Sequence, residues 1–312
     1  MKILIPGELN VDLVLQNPQS FPVLGRELLV EDLSLTLGSS SAICAAALAK
    51  LGDSVTFVSK VGCDSWGDLC VNSLEGFGVN CSLVTRDPLL KTGITVSITS
   101  AKDRAFLTYL GASAALKEGD VSDAVLQAQQ HLHVSSFFLQ QGLRPGLKSL
   151  LSRAHKLGLT TSLDTGFDPA ETWGSDLIDV LQQVDFFLPN EVELAAITGT
   201  PDRVEALRSL QNGKTLTVAK LGGEGCMAIH RDQIVRVPAF PVIPVDTTGA
   251  GDTFNAGFLH ALLLGENLRD AMIFGAAAGA LSTLSLGGTT NQPTVERVRE
   301  FIANCSQPET VS

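Results

Sequence analysis

Positive charge is scarce in this sequence: 22 lysines and arginines stand against 33 aspartates and glutamates, a formal net charge of −11. The summed field of such a chain repels phosphate backbones and anionic lipid, so neither nucleic acid nor a membrane is an expected partner. A small anionic ligand stays open, because backbone N–H groups at a helix start bind phosphate whatever the net charge. The six cysteines form no CxxC pair and have no histidine at metal spacing. That excludes a common zinc motif and suggests reduced, mostly buried thiols in a cytoplasmic protein. No apolar run reaches the length of a membrane span; the longest candidate, Ala271 to Leu286, is Ala/Gly-rich and carries Ser and Thr. The start, Met1 to Glu8, is too short for a signal peptide and is broken by Pro6, Gly7 and Glu8, so it reads as a buried first strand.

Two nucleotide-binding patterns are also missing. No Gly-x4-Gly-Lys-Ser/Thr occurs, so the chain is not a P-loop protein. Gly249-x-Gly251-x-x-Phe254 lacks the third glycine and lies far from the first strand, which gives poor support to a dinucleotide fold.

What is present is an ordinary globular composition, 45% hydrophobic over 312 residues, with short β-rich runs alternating with helical patterns. That alternation signals an α/β fold with a parallel sheet covered on both faces. Strands are expected at Lys2–Ile5, Ser54–Val58, His131–Val134, Thr160–Leu163, Asp185–Leu188 and Leu216–Ala219, and helices at Ser40–Leu51, Gly67–Phe77, Pro145–Leu157 and Glu191–Thr198. Leu28–Leu37 and Gly93–Leu110 break the alternation with near period-two patterns and a hairpin turn at Lys102-Asp103-Arg104. They predict a separate small sheet, placed as a lid over the strand ends, with segments about 12–37 and 92–110 inserted into a single domain spanning 1–312. The tail from Asn304 is polar and reads as frayed. His131 and His133 are expected on opposite faces of a strand, as structural residues and not a catalytic pair.

The most informative segment is Val245-Asp246-Thr247-Thr248-Gly249-Ala250-Gly251-Asp252-Thr253-Phe254. Phe254, Phe258, Ala261 and Leu262 recur at helical spacing and Gly265 stands where a helix would stop. A glycine turn therefore feeds a helix N-terminus, whose unpaired N–H groups and positive dipole end suit a phosphate in transit. Asp252 in the first turn is placed to take a proton from an attacking hydroxyl, and the combination is what phosphoryl transfer needs. Turn and helix capping alone would explain a lone Gly-Ala-Gly, but not one flanked by Asp246 and Asp252 ahead of a long amphipathic helix.

Asp246-Thr-Thr-Gly-Ala-Gly-Asp252 resembles the signature of the ribokinase-like (PfkB) carbohydrate kinases, and the resemblance in element order covers essentially the whole chain. It implies a three-layer α/β/α core with a mostly parallel sheet and a small β lid. It implies that Asp252 is the catalytic base and that the backbone of Gly249, Ala250, Gly251 and Asp252 forms an anion hole. The co-substrate would be ATP with Mg²⁺. Asn190 and Glu193 match the family's Asn-x-x-Glu, which organises Mg²⁺ waters, although Asn190 at an N-cap with Glu193 three residues on is equally a capping box. Lys220, Gly222 and Gly225 resemble turns that line the ATP site, and a plain glycine hairpin fits them too. Gly279, in the small-residue stretch Ala276–Gly288, would let adenine lie flat. Asp246 and Thr248, with carbonyls of that loop, would hold a monovalent cation such as K⁺.

At the substrate end, Asn10 and Asp12 resemble the family's sugar-hydroxyl contacts, and Gly38-Ser39 its glycine turn. Ser39 replaces the usual second glycine and Ile43 the usual asparagine, which leaves a more apolar surface and speaks against ribose. Asp164 and Asp168 follow another strand; either could border the site, and an Asp-Pro turn explains Asp168 as well. Arg104 reads as a solvated turn charge that could meet a substrate phosphate. The expected activity is phosphorylation of a hydroxymethyl on a sugar or sugar derivative. A nucleoside kinase with Phe106 and Tyr109 as lid aromatics ranks second, and a non-catalytic sugar or nucleotide sensor is the third reading. A homodimer pairing through lid edges is the expected assembly.

Overall fold

The structure is a computed structural model that describes residues 1–18, 20–99 and 104–305. In chain order the strands are β1 (Lys2–Pro6), β2 (Asn10–Gln16), β3 (Asp32–Leu37), β4 (Ser54–Gly62), β5 (Asn80–Asp87), β6 (Gly93–Thr99) and β7 (Arg104–Tyr109). They continue with β8 (His131–Val134), β9 (Thr160–Leu163), β10 (Phe186–Phe187), β11 (Leu216–Lys220), β12 (Cys226–His230) and β13 (Gln233–Val237). The helices are α1 (Ser40–Lys50), α2 (Ser65–Gly76), α3 (Asp123–Gln127), α4 (Leu147–Lys156) and α5 (Ser175–Leu181). After them come α6 (Glu191–Thr198), α7 (Arg203–Ser209), α8 (Ala250–Leu263), α9 (Leu268–Ser282) and α10 (Val295–Asn304).

Nine strands form one sheet in the order β13-β12-β11-β10-β9-β8-β1-β4-β5. From β11 to β5 every pairing is parallel, and β12 and β13 add an antiparallel hairpin at one edge. Period-two alternation sends β1 side chains to both faces: Ile3 and Ile5 join one buried cluster and Leu4 the other. The first cluster takes in α1, α8 and α9, the second α4, α5 and α7, so helices cover both faces. Strand order reverses at β1, which pairs β4 on one side and β8 on the other. Such a switch point opens a crevice beyond the strand ends.

The small sheet is real, with order β3-β2-β6-β7. Its centre is β2, which carries the chain straight on from the carboxyl end of β1. Asn10 and Asp12 are therefore at the start of a strand, paired parallel to β6 through Asn10–Gly93 and Asp12–Thr95. The strand expected from Leu28 starts only at Asp32. The turn at Lys102-Asp103 and the tail beyond Cys305 lie outside the described residues, whereas Asn304 closes α10.

The histidine pair needs a second correction. Residues two apart on a strand share a face, and both rings reach one hydroxyl: His131 Nε2 and His133 Nδ1 each lie 2.7 Å from Ser162 Oγ. Thr160 and Ser135 hydroxyls take their outer nitrogens at 2.8 Å. Burial keeps both rings neutral, with His133 pushed down to about 4. The structural role expected of them stands; the reason given for it does not.

α8 reaches the crevice because α9 lets it pack closely. A methyl on Gly257 would lie 2.8 Å from Ala278 Cβ and 3.1 Å from Gly275 Cα. One on Gly275 would meet Phe258 Cβ at 3.1 Å. Gly257→Leu should therefore cost about 1–3 kcal/mol by overpacking and pull the start of α8 out of place. Urea unfolding and kcat measured on one preparation should fall together; unchanged stability would mean that the helices have room to separate.

Candidate active site

The turn before α8 is built by contacts and by backbone shape at once. Gly249 has φ 73°, in the left-handed region that favours glycine, and a side chain there would lie 2.9 Å from Ile43 Cγ2 and 3.0 Å from Gly288 Cα. Asp246 ties the turn down: its Oδ1 accepts from Thr248 N at 2.9 Å and Oγ1 at 2.7 Å, and its Oδ2 accepts from Gly287 N at 2.9 Å. No side chain caps α8. The Ala250 N–H bonds to Thr247 O at 3.2 Å and Thr253 N–H to Gly249 O at 2.9 Å, while Gly251 and Asp252 N–H find no acceptor among the described residues. Two donors at the positive end of a fourteen-residue helix are thus left facing outward.

Asp252 shares the mouth of that turn and is half-buried. Burial raises its pKa well above the carboxylate range, and the charges of Asp164 and Glu8 push the same way. Lys220 and the Ser40 hydroxyl oppose them. Ser40 opens α1, so the starts of α1 and α8 converge on one carboxylate.

Behind the turn lies a compact buried cluster. Lys220, last residue of β11, forms an ion pair with Asp164, which follows β9, and donates to Asn255 Oδ1 at 3.2 Å. Asn255 Nδ2 donates to Asp164 Oδ2 at 2.6 Å, so the three side chains close a ring. Burial disfavours the Lys220 charge, but Asp164, Glu193 and Asp252 outweigh that and raise its pKa. Of the two aspartates after β9, Asp164 belongs to the site. Asp168 organises its own loop, accepting from Ala170, Thr172 and Trp173 N–H at 2.7–3.0 Å.

Glu193 sits next to this cluster, and the capping box is present: Glu193 N donates to Asn190 Oδ1 at 2.9 Å and Asn190 N to Glu193 Oε2 at 2.8 Å. Thr165 Oγ1 adds a third donor at 3.0 Å. Even so, burial and the charge of Asp164 lift Glu193 to about 7. A carboxylate left this short of positive charge suits an added cation. Among the described residues no cluster of three or more His, Cys, Asp or Glu could hold a metal directly.

At the other end of the crevice, Asn10 Nδ2 donates to Asp12 Oδ1 at 3.1 Å and to Thr95 Oγ1 at 3.3 Å. Burial lifts Asp12 to about 6, with the Glu8 charge adding to it and Asn10 opposing. Gly38 packs on this pair so closely that a methyl would fall 2.0 Å from Asp12 Oδ1. Ser39 holds φ 72° where glycine would be easier, and its hydroxyl bonds to Glu8 O at 2.6 Å and accepts from Ala42 N at 3.1 Å. Ile43 corrects an expectation: it is 3% exposed, wedged against Gly249 and Gly288, and offers no apolar surface to a ligand.

Sequence reasoning passed over Glu8, Gln140 and Asn255. Glu8 is buried at the switch point, taking Ser41 Oγ and Gln140 Nε2 at 2.6 Å each. Asn255 lies three residues after Asp252, on the same helical face, which is the one local signal that could have found it. Two glycines of the expected nucleotide motifs also have a packing role. Gly225, at φ 95° and with Val237 O 2.0 Å from where a side chain would start, forms the tight connection of β11 to β12. Gly279 lies against Ala250 O and Phe254, in the contact of α9 with α8.

Helices on both faces of a mostly parallel sheet, with a small second sheet rising from its switch point, define a ribokinase-like α/β fold. The ribokinase of Thermotoga maritima superposes with a TM-score of 0.83 at 28% identity, over 97% of this chain and 99% of that one. An Arabidopsis thaliana ribokinase complexed with ribose and ATP shares the fold at a TM-score of 0.84 and 22% identity, over 96% and 98%. The deoxyribokinase of Salmonella typhi is 29% identical over 320 residues, 97% of this chain and 99% of its own. The chain belongs to the pfkB family of carbohydrate kinases, whose family model matches residues 2–295.

The two glycines of the turn should respond differently to a methyl group. Gly249→Ala meets Ile43 and Gly288 and should lose about 1–3 kcal/mol. At Gly251 the added carbon's nearest neighbours are Lys220 side-chain atoms, Nζ at 3.5 Å and Cδ and Cε at 3.8 Å, ordinary contacts. Gly251→Ala should therefore leave stability within about 1 kcal/mol of the parent. Denaturant melts of the two variants check this, and equal losses would refute the packing argument.

Proposed function

We propose that this chain transfers the γ-phosphoryl group of ATP to a hydroxymethyl of a sugar or sugar derivative, with Asp252 as base and the Gly249–Asp252 backbone as anion hole. One observation carries the reading: the N–H groups of Gly251 and Asp252, without an acceptor among the described residues, open beside the Asp252 carboxyl, in the same mouth. The acceptor oxygen bonds to the γ-phosphorus as the bond to the bridging oxygen breaks, and ADP departs with that electron pair. The hydroxyl proton passes to Asp252, late in a loose transition state. Asn10 and Asp12 would hold sugar hydroxyls, with Gly38 and Ser39 shaping the wall behind them.

Glu193 and Asn190 are the residues that would hold Mg²⁺ through water, and the ion would supply charge neutralisation on the phosphates. Lys220, Gly222 and Gly225 would border the nucleotide, with Gly279 and the loop after α9 toward the adenine. Asp246 and Thr248 would hold a monovalent cation such as K⁺, a reading supported by the bond that ties Asp246 to that loop at Gly287. The small sheet would close as a lid and exclude water. Its edge strands β3 and β7 expose Leu33, Leu35, Phe106, Leu107 and Tyr109, surface that a second copy would cover in a homodimer. With Phe106 and Tyr109 half-exposed on an edge, the sugar acceptor stays ahead of a nucleoside. All six cysteines are unpaired, as a cytoplasmic location keeps them, and no helix among the described residues is long and apolar enough to cross a membrane.

A coupled ADP-release assay across a sugar panel should find an acceptor, and Asp252→Asn should remove most of kcat while ATP still binds. A variant with near-normal kcat would take Asp252 out of the mechanism. The base must be unprotonated, and burial raises its pKa above the ordinary carboxylate value. The rate should therefore climb with pH along a limb lying above the ordinary carboxylate range; a flat profile there contradicts the assignment.

Glu193→Gln separates metal from cap. Glutamine also serves in a capping box, so stability should drop by only about 1 kcal/mol. The Mg²⁺ concentration giving half-maximal rate should rise roughly tenfold or more. Were Glu193 a cap alone, that concentration would not move.

A further inference from the structure

A lysine at the end of a buried strand needs one carboxylate to be satisfied, and Asp164 provides it. The ring through Asn255 does more than neutralise. Asn255 belongs to α8, one turn after Asp252, and bonds both members of the pair. The ammonium is thereby locked to the helix that carries the base as well as to the sheet. It lies under the turn, 3.5 Å from the point where a Gly251 side chain would begin.

The groups around Asp252 come from several elements. Asp164 follows β9, Glu8 follows β1, and both are carboxylates; Ser40 and Cys44 on α1 present a hydroxyl and a buried neutral thiol. Glu193 on α6 adds a further carboxylate toward Lys220. Against this surplus of acids, Lys220 is the cation that acts on Asp252.

We propose that Lys220, clamped by Asp164 and Asn255 beneath Gly251, is a positioning residue for phosphoryl transfer that supplies the positive charge against which Asp252 works as base. It exchanges no proton and touches no reacting atom. Without it, burial and the neighbouring like charges together would hold a proton on Asp252 more firmly, and the acceptor hydroxyl would meet a carboxylic acid. With it, the Asp164 charge is balanced and the base stays available. Asp164, the partner that fixes the ammonium, is at the same time a like charge working against the base.

This rests on Asp252 being the base, so the test has a readout of its own. Aspartate-selective ¹³C NMR of the ligand-free protein follows the Asp252 carboxyl directly, beside the pH profile of kcat/KM. Lys220→Met should move both the NMR titration and the acid limb up by about one pH unit or more. Asp164→Asn keeps the shape and an acceptor for Lys220, and should move both down. The double variant Lys220→Met/Asp164→Leu removes the charges together and should return both to about the wild-type position. Shifts of opposite sign in the two single variants are the result expected, because general damage would lower rates at every pH without moving the limb. If Lys220→Met does not fold, a downward shift in Asp164→Asn and restoration in the double variant still decide. An Asp252 titration that stays put in Asp164→Asn, or moves the same way in both single variants, overturns the proposal. A normal rate in Asp252→Asn with the opposite NMR shifts intact would instead overturn only the assignment of the base.

Discussion

Gly249 can stand where it does only because nothing projects from it. Ile43 of α1 and Gly288 of the loop after α9 close on it from two sides, and its left-handed backbone turns the chain directly into α8. From that one approach several features follow. The helix begins without a side-chain cap, so its first donors stay open. Its dipole points into the crevice at the sheet's switch point, where α1 also starts. Its third residue is Asp252, which therefore shares the mouth with those donors. Small residues at Gly257, Gly275 and Ala278 hold α8 against α9 and keep the turn in register with the strand ends. A bulkier residue at any of these points would disturb chemistry by moving backbone, without touching a functional side chain.

What the sequence disclosed and what it hid divide along contact order. The start and stop of α8, the capping box at Asn190 and the first strand are set by residues within a turn or two of each other, and patterns report them well. Glu191–Thr198 appears with the bounds expected from the sequence alone. The small sheet was also legible, because period two persists in Gly93–Tyr109. Its central strand was not: the polar Asn10 and Asp12 break the apolar alternation and disguise the start of β2. Lys220, Asp164 and Asn255 come together from positions 56 and 35 residues apart. No spacing rule joins a strand end to a helix across that interval. Glu8 escaped notice for the same reason, its partners Ser41 and Gln140 being 33 and 132 residues away.

The departures at Ser39 and Ile43 show how substitution is absorbed locally. Read along the chain, each is a lost glycine or a lost amide. In three dimensions Ser39 keeps a strained φ and uses its hydroxyl to cap α1 and to tie Glu8. A serine cap contributes about 1 kcal/mol, similar to the strain of a left-handed non-glycine residue at about 1–2 kcal/mol, so the exchange is near balance. Ile43 packs on Gly249 and Gly288. Both side chains are thus taken up by the packing and capping around the turn before α8, and leave its backbone intact.

The acid surplus of the chain, −11 overall, persists into the crevice: Glu8, Asp12, Asp164, Glu193 and Asp252 lie there with one buried ammonium. Four of the five carboxyls are raised above their ordinary range; only Asp164, in direct contact with Lys220, is lowered. Such a site is poised for positive charge, which under the proposed function a magnesium–nucleotide complex would bring. The same surplus would repel a bare polyphosphate, so in the proposed reaction the outward N–H groups of Gly251 and Asp252 would be the means by which an anion is received. In the proposed reaction, attraction at the helix start and repulsion from the carboxyls would act on different parts of the ligand: the phosphoryl group would be drawn toward the turn, an added cation toward Glu193. Orientation follows from the field as well as from shape.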